Sequence, residues 1–207
     1  MHNDVSLMAV VKNEEKNIRK MLHTVHSFVK QKIIIDTGSI DDTAKICREE
    51  FGIDVINKEF PFDEKFFINS KNYALNLCEC DWVLVLDGDE EPSYELSEEI
   101  LNFVHNEDYD CLRIRRLNFF KYHPSSSDSV IRLFRRSAGY KFYVCHVLPH
   151  DTPALNEKFK LGRVMSTNNP IYHWAWYDIT KEEYLFKKEL KNNTLLPEAL
   201  KKQFSDV

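Results

Sequence analysis

Asp87-Gly88-Asp89-Glu90 follows the apolar run Trp82–Leu86 directly, and it is the segment of this sequence best equipped for chemistry. Two carboxylates on either side of a glycine turn can converge on one hard divalent cation, which prefers oxygen ligands. Such an ion can bridge a diphosphate and stabilise the charge that develops on a departing one. The same residues would also form a plain solvated turn, Asp-Gly being a common turn pair. A second acidic turn, Asp36-Thr37-Gly38-Ser39 followed by Asp41-Asp42, comes after Lys32–Asp36. A carboxylate at a strand end beside a glycine can accept a base N–H or a ribose hydroxyl, although Asp and Gly are ordinary turn residues too. Asn13-Glu14-Glu15, after Ser6–Val11, either caps a helix or joins the same site.

Charge is unevenly spread. Arg113, Arg115, Arg116, Lys121, Arg132, Arg135, Arg136 and Lys141 lie between Cys111 and Cys145 with only Asp128 against them, a local +7 in a chain of net charge −5. An acidic first part followed by a basic one suits a site that handles a cation and an anionic ligand side by side. Solvated strand faces would carry the same residues. A nucleic-acid surface is not expected, because the overall charge is negative and no helix carries a basic stripe.

The elements that must hold these groups alternate. Ser6–Val11, Lys32–Asp36, Asp54–Asn57 and Trp82–Leu86 read as strands from their apolar, β-branched runs. Between them, Ile18, Met21, Leu22, Val25 and Val29 recur at helical spacing, Asp41-Asp42 open a helix through Phe51, and Asn69 to Glu79 reads as another. Leu96, Ile100, Phe103 and Val104 mark a helix after Pro92. This alternation implies an α/β fold with a mostly parallel sheet and helices on both faces. Cys111–Arg115, Val130–Phe134 and Phe142–Val147 read as further strands, with His123-Pro124-Ser125-Ser126-Ser127 as a connection, and 181–191 and 195–204 as closing helices. Phe60, Phe62, Phe66 and Phe67 read as core in preference to a sugar platform.

Several classes drop out. No G-x-G-x-x-G follows the first strand and no Walker loop occurs, which argues against a dinucleotide or P-loop enzyme. The five cysteines are odd in number and scattered, as in a chain of reduced thiols. No apolar run reaches the roughly 20 residues that cross a bilayer, and the chain opens with neither a basic lead-in nor a cleavage site, so the expected location is the cytoplasm, with a peripheral place at a membrane left open. A phosphatase of the haloacid dehalogenase type also sets D-x-D after an apolar strand, but near its beginning and with a Thr-bearing turn, whereas Glu90-Glu91-Pro92 follow here.

In order, V-V-K-N-E-E-K-N-I, I-I-D-T-G-S-I-D-D-T, S-K-N-Y-A-L and D-W-V-L-V-L-D-G-D-E resemble the inverting family 2 glycosyltransferases of the GT-A fold, above all small bacterial transferases that build surface polysaccharide. The likeness is close from Leu7 to Pro92 and looser beyond. It implies one GT-A domain over residues 1–207: a Rossmann-like nucleotide-sugar half, 1–110, and a smaller mixed β/α acceptor-side half, 111–207. It implies transfer from a nucleotide sugar, UDP-linked, to a hydroxyl of a carbohydrate, glycolipid or protein acceptor, with Mn²⁺ or Mg²⁺ as cofactor. Asn13, Glu14, Asp36 and Gly38 would then hold base and ribose, Asn72 would face the donor pocket, and Arg132 would meet donor phosphates or an anionic acceptor. Asp87 and Asp89 would be the D-x-D pair, Asp89 the direct ligand, with His173 completing the metal shell from I-Y-H-W-A-W-Y. Trp faces in that run could stack on sugar rings, or the His could be a core residue among packed aromatics. R-L-F-R-R followed by V-C-H resembles a further family stretch, but Val147 stands where an acid is usual. His146 and Asp151, with His150, are therefore base candidates by proximity alone. The alternative is a degenerate nucleotide-sugar-binding module without transfer.

Overall fold

Residues 5–61, 63, 65–120, 123–143, 153–156 and 160–176 are described by a computed structural model. Val5–Val11 (β1), Gln31–Asp36 (β2), Val55–Asn57 (β3) and Trp82–Val85 (β4) run parallel in the order β3-β2-β1-β4. β1 sits between β2 and β4 and is buried on both faces, which explains its continuous apolar run. The helices are Ile18–Val25 (α1), Thr43–Phe51 (α2), Phe66–Leu77 (α3) and Tyr94–Phe103 (α4). On one face Ile18, Leu22, Ile46, Leu96 and Ile100 pack with Leu7, Leu84 and Leu86; on the other, Ala74 and Leu75 of α3 pack with Met8, Ile35, Val83 and Val85. Helices cover both faces, as the alternation implied. α3 starts at Phe66, ahead of the expected Asn69.

The second half extends the same sheet. Glu90–Pro92 (β5), Cys111–Phe120 (β6), His123–Arg135 (β7) and Val164–Trp176 (β10) continue it as β4-β7-β6-β10-β5, and Lys141–Phe142 (β8) pairs separately with Pro153–Ala154 (β9). β7 is antiparallel to β4 and β6, β10 is parallel to β6, and β5 is antiparallel to β10. In a flat sheet, β4 and β5 would lie about 19 Å apart, four spacings of about 4.8 Å. The intervening turn is closed by Glu90 N–H donating to Asp87 O at 3.0 Å, and a turn of that kind spans less than about 7 Å. The sheet therefore curls, and its far edge meets the end of β4.

A bulge sharpens that curl. Leu112 pairs with Leu133 but Arg113 pairs with Ile131, so Arg132 is an extra residue in β7. Bulges bend a strand and re-aim a side chain, and Arg132 turns into the curl. Three strand features differ from the sequence reading. The run His123–Ser127, expected as a connection, is the start of β7; residues 164–176 form a long strand; and Glu90–Pro92 is a short edge strand. Ser, Pro, Asn and Glu have low strand preference alone, and their pairing is set by the neighbours that the curl supplies. The strand expected at Phe142–Val147 is seen as Lys141–Phe142; residues 144–147 and both closing helices lie outside the described residues.

Candidate active site

Three loops meet at the carboxyl ends of β1, β2 and β4, where open α/β sheets bind ligands. The first two are laced together. Asn13 N–H donates to Ser39 Oγ at 2.9 Å, Ile40 N–H donates to Asn13 Oδ1 at 2.9 Å, and Glu14 N–H donates to Thr43 Oγ1 at 2.7 Å. Asn13 holds this geometry with φ +55°, a backbone region that Asn tolerates. Its side-chain oxygen thus joins the two loops. Asp36 is buried, and its Oδ1 accepts from the N–H groups of Gly38 at 2.9 Å and Ser39 at 2.7 Å. Gly38, at φ +106°, lets the turn close over that oxygen.

The third loop presses on the first. A Cβ at Gly88 would stand 2.7 Å from Glu14 Cγ, 3.1 Å from Glu14 Cβ and 3.3 Å from Val11 Cγ1. Only glycine lets the acidic turn approach the β1 loop this closely. Gly88→Ala is expected to force the two loops apart, lowering unfolding free energy by about 1–3 kcal/mol in urea titration.

Around the turn, charges alternate in a buried ladder. Lys71 Nζ of α3 lies 2.7 Å from Asp87 Oδ1, and Arg132 Nη2 lies 2.7 Å from Asp87 Oδ2 and 2.6 Å from Glu90 Oε1. Arg116 Nη1 follows at 3.2 Å from Glu90 Oε1, and its Nη2 reaches Asp128 Oδ2 at 2.6 Å. The side chains of Lys71, Arg132 and Glu90 are 2%, 4% and 0% exposed, so these charges persist only because each meets its opposite. Burial alone would raise the Asp87 carboxyl; Arg132 and then Lys71 outweigh it and hold that group well below the usual carboxylate range.

Asp89 faces the other way. Its Oδ2 stands 3.5 Å from His173 Nε2, with side chains 12% and 19% exposed. Asn118 Nδ2 donates to Ser126 Oγ at 3.1 Å, which leaves Asn118 Oδ1 to accept from His173 Nδ1 at 2.6 Å. That bond fixes the imidazole with Nε2 toward Asp89. Burial alone would lower the His173 pKa; the Asp89 charge and hydrogen bond, with Glu90 behind them, raise it. Trp174 N–H donates to Asp89 O at 2.8 Å, so β10 also holds the backbone of the turn.

Among the described residues no three His, Cys, Asp or Glu side chains gather into a metal cluster. One carboxylate and one imidazole could hold a divalent cation that draws its remaining ligands from substrate phosphates and water. Asp89 and His173 would be the protein ligands. Asp87, expected beside them, meets a cationic side chain at each oxygen and serves as the anchor of the turn.

Further residues expected at the site are engaged within the protein. Asn72 does not open into the site: its Nδ2 donates to Phe142 O at 2.9 Å and its Oδ1 accepts from Phe142 N–H at 3.0 Å, clamping β8 to α3. Its neighbour Lys71 reaches the acidic turn instead. Arg132 is enclosed between Asp87 and Glu90, so it positions carboxylates and does not project toward a ligand. Arg135 likewise is tied to Asp81 at 3.1 Å, with its guanidinium over Trp82. Trp174 stacks on Phe119, lies under Lys20 Nζ and donates Nε1–H to Glu91 Oε2 at 2.9 Å, so its indole serves packing. His146, His150, Asp151 and Val147 lie outside the described residues. Cys47, Cys78, Cys80 and Cys111 are all buried.

Sequence reasoning gave no individual site role to Lys71, Glu90, Arg116 and Asn118. A charged residue in the otherwise mixed helix run S-K-N-Y-A-L was the one available signal for Lys71; partners of the other three are set by the curl.

Residues 6–169 match the family model described as glycosyl transferase family 2. The chain belongs to that family. This family 2 chain is 28% identical over 180 residues to an uncharacterized glycosyltransferase of Rickettsia typhi, covering 83% of itself and 60% of that protein. A Rickettsia felis relative is 27% identical over 201 residues, 91% of this chain and 69% of its own length. In fold, the family 2 chain matches the crystal structure of residues 1–349 of S. aureus TarS, with a TM-score of 0.59 at 16% identity over 96% of this chain and 68% of that one. It also matches glucosyl-3-phosphoglycerate synthase from Mycobacterium tuberculosis in complex with Mn²⁺ and UDP-glucose, with a TM-score of 0.50 at 16% identity over 93% and 77% of the two chains. Family membership decides against the dehalogenase-type phosphatase reading.

Proposed function

We propose that this chain transfers a sugar from a UDP-linked donor to an acceptor hydroxyl, with inversion and with Mn²⁺ or Mg²⁺ as cofactor. The observation that carries the reading is the Asp87-Gly88-Asp89 turn, pressed onto the β1 loop through Gly88 and aimed at His173 through Asp89. Support comes from fold neighbours that hold such ligands, TarS in complex with UDP-GlcNAc and the synthase in complex with Mn²⁺ and UDP-glucose.

In this reading Asp36, whose Oδ1 is committed to its own turn, offers Oδ2 to a base N–H or ribose hydroxyl. Glu14 shapes the wall between that group and the acidic turn. Asp89 and His173 hold the cation, which when bound supplies positive charge to the departing diphosphate. Lys71 and Arg132 keep Asp87 ionised and still, so that the turn is set before the donor arrives. The acceptor oxygen bonds to the anomeric carbon as the bond from that carbon to the diphosphate oxygen breaks, and UDP leaves with the electron pair. The acceptor proton goes to a base, for which His146 and Asp151 are the proposed candidates. The acceptor is a carbohydrate, glycolipid or protein hydroxyl. No helix among the described residues is long and apolar enough to cross a membrane, and the proposed setting is the cytoplasm, beside a membrane where the acceptor is a glycolipid.

A thermal-shift screen of UDP-, GDP- and CMP-sugars with and without Mn²⁺ tests the reading. A UDP-sugar at about 100 times its Kd should stabilise by about 2.7 kcal/mol, a rise of roughly 5–10 °C for a chain of this size, and only with the cation. Equal shifts without Mn²⁺, or none with any UDP-sugar, would contradict it.

A further inference from the structure

Of the eight basic residues between Cys111 and Cys145, Arg116, Arg132 and Arg135 are neutralised internally, and Arg136 donates to Glu79 O. Arg113 and Arg115 differ: both are exposed, and neither forms an ion pair with a described residue. They stand two apart on β6 and so share one face, about 6.6 Å from each other along the strand. Arg113 is flanked by Ile131 on β7 and Ser166 on β10, and Arg115 by Ser129 and Pro170. None of these neighbours is acidic, and Ser129 and Ser166 are exposed hydroxyls.

The patch also adjoins the site. Cys111 and Ile131 belong to the core on the α3 side of the sheet, so Arg113 is on the face from which Lys71 reaches Asp87. Ile131, directly opposite Arg113, precedes Arg132, the residue that grips Asp87. A chain lying along this face would pass two strands from β4 and its acidic turn, with β7 between them.

We infer that the face of β6 bearing Arg113 and Arg115 binds a phosphate-bearing sugar or polyol chain and leads it, as acceptor, to the site. The inference rests on the glycosyl-transfer reading and names its acceptor class. Two cations on one strand face with hydroxyls beside them match a ligand that alternates phosphates with hydroxylated carbons. A membrane surface fits less well, since basic anchors there are joined by apolar side chains that enter the lipid. Ile40, Phe67 and Tyr94 are the exposed large hydrophobic residues among those described, and none is on these strands. Single-stranded nucleic acid wants aromatic rings to stack its bases, and the four flanking residues include none.

The test is a titration of labelled medium-chain inorganic polyphosphate, followed by anisotropy over a range of salt, with neutral dextran as blank. Wild-type protein should bind, and Arg113→Gln/Arg115→Gln should lose about 10-fold at low salt. Its log-affinity against log-salt slope should flatten by about 1.4, at about 0.7 for each contact removed. Lys45→Gln/Arg48→Gln on α2 makes the same charge change elsewhere and should bind as wild type does. Equal binding by the β6 variant, an equal loss in the α2 variant, or wild-type binding confined to phosphatidylserine vesicles or to oligouridylate would overturn the inference. Calorimetry of wild-type protein with UDP and Mn²⁺ keeps the two readings apart: its failure beside intact polyphosphate binding would remove the transferase reading and leave the surface.

Discussion

Replacing Asp89 by Asn is expected to reduce Mn²⁺-dependent UDP binding by at least about 100-fold. The substitution keeps shape and removes charge. Asp89 O still accepts from Trp174 N–H, so the turn remains where β10 holds it. What disappears is a carboxylate 3.5 Å from His173 Nε2 and the direct ligand assigned to the cation. Loss of a mere outer-shell partner costs 10–100-fold in metal sites, and loss of a ligand should cost no less. Calorimetric titration of UDP with and without Mn²⁺ reads the effect. The affinity without cation should barely change, while the gain from Mn²⁺ should vanish. An Asn variant that keeps the gain would remove Asp89 from the cation.

Arg132→Met is expected to lower unfolding free energy by about 3–5 kcal/mol, the scale for a buried ion pair that loses one partner. Met fills similar space and removes the cation that Asp87 and Glu90 share, at 2.7 Å and 2.6 Å. Glu90 is fully buried and would keep Arg116 at 3.2 Å, and Asp87 would keep Lys71. Adding Glu90→Gln should restore part of the loss, because it removes the excess negative charge left in the ladder when Arg132 is gone. A loss below about 1 kcal/mol in urea unfolding, or no recovery in the double variant, would show that the ladder does not support the turn.

The first half of the fold was legible because its signals are local. β1 and β4 are continuous apolar runs, and α1 places Ile18, Met21, Leu22 and Val25 at helical spacing, all buried. The carboxylates stood out for the same reason, since Asp36, Asp87 and Asp89 each follow a strand that the pattern makes plain. The second half was less readable because β6, β7 and β10 are paired by the curl of the sheet, and runs such as His123–Ser127 carry no strand preference of their own. Side-chain direction was hidden as well. One residue of register separates Asn72, clamped to Phe142, from Lys71, which reaches Asp87. A single bulge aims Arg132 inward, while Arg113 and Arg115 stay outside. Charge counting found the basic segment and gave no means of telling its internal arginines from its exposed ones.

The central claim is that Asp89 and His173 hold the cation while Asp87 stays between Lys71 and Arg132. Diffraction from a crystal soaked with Mn²⁺ and UDP, recorded at the manganese absorption edge, locates the ion directly. The expected result is an anomalous peak shared by Asp89 and His173, next to the UDP diphosphate, with both Asp87 ion pairs intact. A peak on Asp87 with Lys71 or Arg132 displaced, or UDP bound with no manganese at this corner, would contradict it.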